Sequence, residues 1–258
     1  MIIKDKVVVI TGGASGLGLA AATYLIREKG ARVAIFDLSV ETGERAVAEL
    51  GSDRAMFVKV DVSNEGDVCA GVAAVVERMG AIHVCINAAA LPTAFKMLDK
   101  NGEAVALSRF SQVVAVNLTG TFNVMSKCVQ QMARNETENG EERGVVINIS
   151  SGAAYEGQVG QCAYSSTKAA VIGLNIPAAR ELRDVGVRVN VIAPGLFMTK
   201  MVSELPEKVL ASLHEQMESP QRLGNVLEFA HCCAFLIENG YMNGETIRLD
   251  GAARMRAR

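Results

Sequence analysis

The run Val7-Val8-Val9-Ile10-Thr11, followed at once by Gly12-Gly13-Ala14-Ser15-Gly16-Leu17-Gly18, constrains this chain more than any other stretch. Five β-branched residues in succession leave no charged side chain and only the Thr11 hydroxyl to face water. They predict a strand buried on both faces. The glycines that follow form a turn, and a helical pattern then runs from Leu17 to Lys29, where Gly30 stops it. A doubly buried strand needs a layer of structure on each side, which restricts the chain to a layered α/β architecture.

The same alternation continues. Strands are expected at 32–37, 55–61, 82–87, 145–150, 187–193 and 245–250, and helices at 40–50, 64–79, 110–132, 162–183 and 225–237. Strands alternating with helices imply right-handed crossovers and a doubly wound, seven-stranded parallel sheet flanked by helices. With half of its 258 residues apolar, the chain has ample core material for one domain over residues 1–258, and no composition break suggests a second. Residues 92–109 and 133–143 are polar excursions. Residues 195–223 lie past the carboxyl end of a strand, where open α/β sheets bind ligands, and form a candidate substrate lid. Met198, Met201 and Met217 in that lid either shape an adaptable apolar pocket or pack as ordinary core.

Composition removes several function classes. A net charge of −2 with scattered basic residues offers no footprint for nucleic acid, and the terminal RMRAR reads as solvated. No apolar run reaches membrane-spanning length. The six cysteines form no CxxC pair and sit among apolar neighbours, as buried thiols do in a reducing compartment. The three histidines form no ligand pattern, so no metal is expected. The apolar strand begins too early to leave room for a signal peptide, and the expected location is cytoplasmic.

The turn itself carries a chemical signal. Gly16-x-Gly18-x-x-Ala21 follows a strand and opens a helix, as in the dinucleotide-binding fingerprint. Glycines there let the backbone approach a pyrophosphate, which rests on the free N–H groups of the helix start. Asp37 ends the next strand, where a carboxylate accepts hydrogen bonds from the adenosine ribose and repels a 2′-phosphate. Neither Ser15 nor Leu38 supplies a basic group for such a phosphate, which favours NAD over NADP.

In the predicted helix 162–183, Tyr164 and Lys168 lie four residues apart and share one face. A phenol titrates near 10, so it needs a neighbouring ammonium to act as a base at neutral pH. Taken alone, the pair is equally two amphipathic side chains on a helix surface. Ser151 precedes Tyr164 by thirteen residues and ends a predicted strand, where its hydroxyl can hold a reacting oxygen.

These motifs together resemble the short-chain dehydrogenases/reductases. TGGASGLG is similar to their TGxxxGxG turn, Tyr164 and Lys168 to their YxxxK, and Ser151 to their serine. Asn117 in VNLTG and the segment PGLFMT at 194–199 match further family motifs in the same order. The resemblance implies a Rossmann fold and a site with Ser151, Tyr164, Lys168 and Asn117 as its catalytic set. It also implies a cofactor cradle of Gly12, Ser15, Gly16, Leu17 and Gly18, with Asp37 at the ribose and Asp61 and Val62 at the adenine. Asn87 would neighbour the cofactor, and Pro194, Gly195, Leu196, Phe197 and Thr199 would border the nicotinamide. Tyr164 would take or give the proton and also contact the cofactor, and Lys168 would also grip the nicotinamide ribose. Asn117 would link Lys168 to solvent through water. One departure stands out: the family's NNAG reads Asn87-Ala88-Ala89-Ala90, losing a side-chain amide at 88 and a glycine at 90.

Within the family, strings such as AAYEGQVGQCAYSSTK and NGETIRLDGAARM resemble members that oxidise a 3-hydroxyacyl-CoA with NAD. Oxidation of a hydroxysteroid or another secondary alcohol, or reduction of a 3-oxoacyl-carrier protein, are the enzymatic alternatives. A nucleotide-sensing scaffold subunit is the non-enzymatic one. The resemblance also implies a homotetramer, with the helices at 110–132 and 162–183 as its interface and a small-molecule substrate, an acyl-CoA thioester, as the partner.

Overall fold

The β-branched runs do form the sheet. In the computed structural model, which describes residues 1–138, 140–215 and 217–257, the strands are β1 (Val7–Thr11), β2 (Arg32–Asp37), β3 (Ala55–Lys59) and β4 (Val84–Asn87). They continue as β5 (Gly144–Ile149), β6 (Val187–Pro194) and β7 (Thr246–Leu249), in the spatial order β3-β2-β1-β4-β5-β6-β7, all parallel. Every residue of β1, β4, β5 and β6 is buried. Two apolar layers, one on each face, are built on Val8, Ile10, Ile35, Ile86 and Ile147 and on Val9, Phe36, Cys85 and Val146.

The helices on one face are α1 (Gly16–Arg27), α2 (Val40–Leu50) and, near the carboxyl terminus, α9 (Val226–Glu238). The other face carries α3 (Glu65–Met79), α5 (Thr121–Met132) and α6 (Cys162–Glu181). Their starts follow ordinary capping chemistry. The Asn64 side chain accepts from the Asp67 N–H, and Asn225 with Glu228 closes a capping box on α9.

The expected helix 110–132 begins earlier and is not uniform. It starts as α4 (Leu107–Val114), passes through a π-helical turn at Ala115–Gly120, and resumes as α5. Gly120, which ends the π turn, permits close packing. A Cβ at Gly120 would stand 2.6 Å from Cγ2 of Val62, in the loop after β3. The rest of the 92–109 excursion is loop, with a lone bridge between Leu98 and Ala104. The candidate lid carries two short helices, α7 (Lys200–Ser203) and α8 (Glu207–His214).

The chain reverses its winding direction between β1 and β4, which are adjacent in the sheet and lie on opposite sides of that reversal. Open sheets bind ligands at the carboxyl ends of strands at such a point. Thr11, Asn87, Ile149 and Pro194 all end their strands on this one edge.

Candidate active site

The glycine turn forms the floor of a cleft of about 350 Å³ at that edge. Gly12, Ser15, Gly16, Leu17, Gly18, Asp37, Asp61 and Val62 line it, eight of the expected cofactor residues, together with Ala88 to Leu91. Gly12 holds φ at +62°, and its Cα faces the Ala89 backbone, which a Cβ would approach to 3.0 Å. A Cβ at Gly18 would overlap the Gly12 carbonyl, so only glycine lets α1 start this close to the turn. Ser15 caps α1 in an extended conformation without a side-chain bond, and the first turn contains no acid. The N–H groups there remain available to an anion.

Asp37 braces the turn as well as lining the cleft. Its carboxylate accepts from the Ala14 N–H at 3.2 Å and from the Ser39 N–H at 3.3 Å. Asp61 is held in the same way by the Ser63 hydroxyl at 2.6 Å. No lysine or arginine lines the cleft.

The NAAA segment keeps ordinary backbone geometry. Positive φ among the described non-glycine residues occurs only at Asp5 and Ala252, so Ala90 fits without strain. The segment is tied down at both ends: the Ala89 N–H donates to Thr11 Oγ1 at 3.0 Å, and the Leu91 N–H donates to Asn117 Oδ1 at 2.7 Å. Asn117 returns a bond to the Leu91 carbonyl and reaches Thr167 Oγ1 at 3.3 Å. Its side chain thereby couples the cleft wall to α6 from within the π turn, a conformation often found at functional sites.

Tyr164 and Lys168 do project together from α6. Lys168 Nζ lies 5.8 Å from the centre of the Tyr164 ring and donates to the Ile149 carbonyl at 2.7 Å. Lys168 is 3 % exposed, and burial lowers its pKa to about 8. Burial raises the Tyr164 phenol above its usual value, and the neighbouring Ser151 hydroxyl offsets part of that rise. Desolvation acts on both groups and disfavours both charged forms.

Ser150 and Ser151 separate cleanly. Ser150 is buried, and its hydroxyl donates to the Lys168 carbonyl at 2.8 Å, a packing bond between the end of β5 and α6. Ser151 caps a 3₁₀ turn at Gly152–Ala154 and borders a second cavity, of about 140 Å³. Pro194, Gly195 and Leu196 border that cavity as well.

Four expected cofactor residues lie elsewhere or do further work. Asn87 is buried behind the cleft and donates to Asn148 Oδ1 at 2.8 Å across β4 and β5. The Phe197 ring packs edge-to-face on Phe229 of α9, 6.2 Å between centres. Gly195 lets β6 meet β7, since a Cβ there would stand 2.8 Å from that of Asp250. Thr199 caps α7 across from the glycine turn, 3.9 Å from where a Cβ of residue 16 would sit.

The wall formed by the tail was not expected. Arg248, Asp250, Ala253, Arg254 and Met255 close the second cavity. Arg248 pairs with Glu156 at 2.9 Å and Asp250 at 2.7 Å, and its guanidinium covers the Tyr155 ring. Sequence spacing gives no signal for this, because ninety-two residues separate Arg248 from Glu156. The Met201 side chain lies outside the described residues. Among the described residues no group of three histidine, cysteine, aspartate or glutamate side chains gathers as metal ligands, and no helix is long and apolar enough to cross a membrane.

Residues 6–210 match the family model described as short chain dehydrogenase. The chain is 45 % identical over 254 residues to the human 3-hydroxyacyl-CoA dehydrogenase type-2, covering 98 % of this chain and 97 % of that protein. It is 44 % identical to the Drosophila melanogaster protein of the same name, over 98 % of this chain and 99 % of that one. The crystal structure of 3-hydroxyacyl-CoA dehydrogenase type-2 from Mycobacterium avium superposes with a TM-score of 0.93 at 38 % identity, covering 100 % of this chain and 98 % of that one.

Proposed function

Since the chain belongs to the short chain dehydrogenase family and is an oxidoreductase of that fold, we propose that it interconverts a 3-hydroxyacyl-CoA and a 3-oxoacyl-CoA with NAD. The observation that carries the reading is the union on one sheet edge of the acid-bearing glycine cleft with Ser151, Tyr164 and Lys168. The thioester substrate is suggested by the names of the most similar relatives.

The cleft fits a dinucleotide. Free N–H groups at the start of α1 suit the pyrophosphate, and Asp37 suits the ribose hydroxyls. With two carboxylates and no cation on the lining, a 2′-phosphate would be repelled. A bound nicotinamide supplies the hydride acceptor or donor. Tyr164 hands a proton to the substrate oxygen in reduction and withdraws it in oxidation. Ser151 hydrogen-bonds that same oxygen and holds it beside the phenol. The Lys168 ammonium would oppose the burial that raises the phenol, and Asn117 keeps α6 and the cleft wall in register.

The neutral phenol is the form that gives a proton to a ketone, and oxidation calls for the phenolate. Reduction should therefore run well at neutral pH, whereas oxidation should climb toward alkaline pH. The exposed groove between α5 and α6, where Phe122, Met125, Val129, Leu174 and Pro177 meet, supports assembly with further copies into a homotetramer. A cytoplasmic location agrees with six free thiols, three of them buried.

The test is NADH consumption with acetoacetyl-CoA beside a steroid ketone and a 3-oxoacyl-carrier protein. The thioester should win in kcat/KM by at least about tenfold, a margin equal to roughly 1.4 kcal/mol of transition-state preference. A better steroid or carrier-protein substrate would overturn the thioester assignment. Tyr164→Phe should abolish turnover while leaving NADH binding intact. Robust turnover in that variant would remove the proton-transfer role.

A further inference from the structure

Two cavities meet at one methionine. The inner one, of about 140 Å³, reaches Ser151 and Gly152. The outer one, of about 210 Å³, runs between Phe197, Leu249 and Pro220 and ends at the Arg222–Glu228 ion pair. Leu196, Asp250 and Met217 belong to both walls. Two of these three are fixed. The Leu196 carbonyl accepts from the Gly224 N–H at 2.9 Å, and Asp250 is held by Arg248 at 2.7 Å.

Met217 is held differently. It follows α8 in the lid, is 4 % exposed, and its N–H donates only locally, to the His214 carbonyl at 3.0 Å. Its side chain is unbranched, with three rotatable bonds, and adapts readily to the space it is given. Met198, on the same lid, borders neither cavity.

Size decides what each space can take. A cavity of about 150 Å³ accommodates a ligand the size of benzene, so the inner one, walled by Leu196, Leu213 and Met255 and also by Arg248, Asp250 and Arg254, has room for a short acyl group. The two cavities joined offer more than twice that room. We propose that Met217 is the partition that sets acyl-chain length: it ends the inner cavity for short chains, and its displacement opens a continuous channel toward Arg222 for longer ones. The proposal rests on the acyl-thioester reading above.

The experiment measures kcat/KM for acetoacetyl-CoA, 3-oxooctanoyl-CoA and 3-oxododecanoyl-CoA in the holoenzyme and two variants. Met217→Ala should raise the octanoyl-to-acetoacetyl ratio by at least about tenfold, the scale of discrimination by apolar pockets. Met217→Leu, which keeps the volume, should retain the parental ratio. A ratio unmoved in Met217→Ala, or an equal loss at every length, overturns the partition. Should the parent reduce no thioester at all, the substrate reading fails separately. The partition is then read with secondary alcohols of rising chain length, and an unaltered length profile in Met217→Ala overturns it too.

Discussion

Lys168 illustrates how one residue trades stability for chemistry. Its ammonium has a single described partner, the Ile149 carbonyl, in an otherwise desolvated setting, and its pKa falls from 10.5 to about 8. A base depressed in the folded state binds fewer protons there than in the unfolded chain, so stability increases with pH across that interval. Below pH 8 the residue costs the fold about 3 kcal/mol, from 1.36 kcal/mol per pKa unit. The cost is withdrawn between about pH 8 and 10.5. Lys168→Met should accordingly be the more stable protein in urea at pH 7, with the gap narrowing by pH 9.5. A less stable variant at pH 7 would show that the Ile149 bond outweighs desolvation. The upward shift of Tyr164 acts in the opposite sense only above pH 10.

Among the elements, the strand–turn–helix unit of β1 and α1 was the most legible, because each of its requirements is local. Five β-branched residues, glycines at set intervals and an acid ending β2 are all written in short range. Gly18→Ala should drive its new Cβ into the Gly12 carbonyl, a backbone atom that cannot rotate aside. Overpacking of this kind costs about 1–3 kcal/mol, and NADH affinity measured by fluorescence should fall with it. Unchanged affinity would mean that the turn opens without consequence for the cofactor. The Tyr164–Lys168 spacing was equally readable, since helical period alone puts them on one face. Features set by distant partners were not. The absence of a side chain at Gly120 answers Val62 across the layer, the Phe197 ring answers Phe229, and the phenol's pKa answers everything that excludes water from it. None of these has a period or a neighbour in sequence to announce it.

At the scale of the whole molecule, the edge opposite the site carries its own titratable clasp. Nδ1 of His83 accepts from the Val7 N–H at 3.1 Å, and the His83 backbone joins β1 to β5. Burial, reinforced by Lys6, lowers its pKa from 6.5 to about 4. The neutral ring therefore contributes stability above pH 6.5 that is lost as pH falls toward 4. Allowing for partial solvent screening, the loss is about 2 kcal/mol. His83→Asn should flatten the dependence of unfolding free energy on pH in that window, and a slope as steep as the parent's would exclude the histidine as its source. Between the two edges runs β5, whose far end hands one serine to α6 and the next to the cavity. Successive residues of an extended strand face opposite ways, so β5 works as a ruler. Gaining or losing one residue within it would swap Ser150 with Ser151 and detach Asn148 from Asn87. Length added upstream of β5 should therefore leave both serines at their posts, whereas length added inside the strand should not.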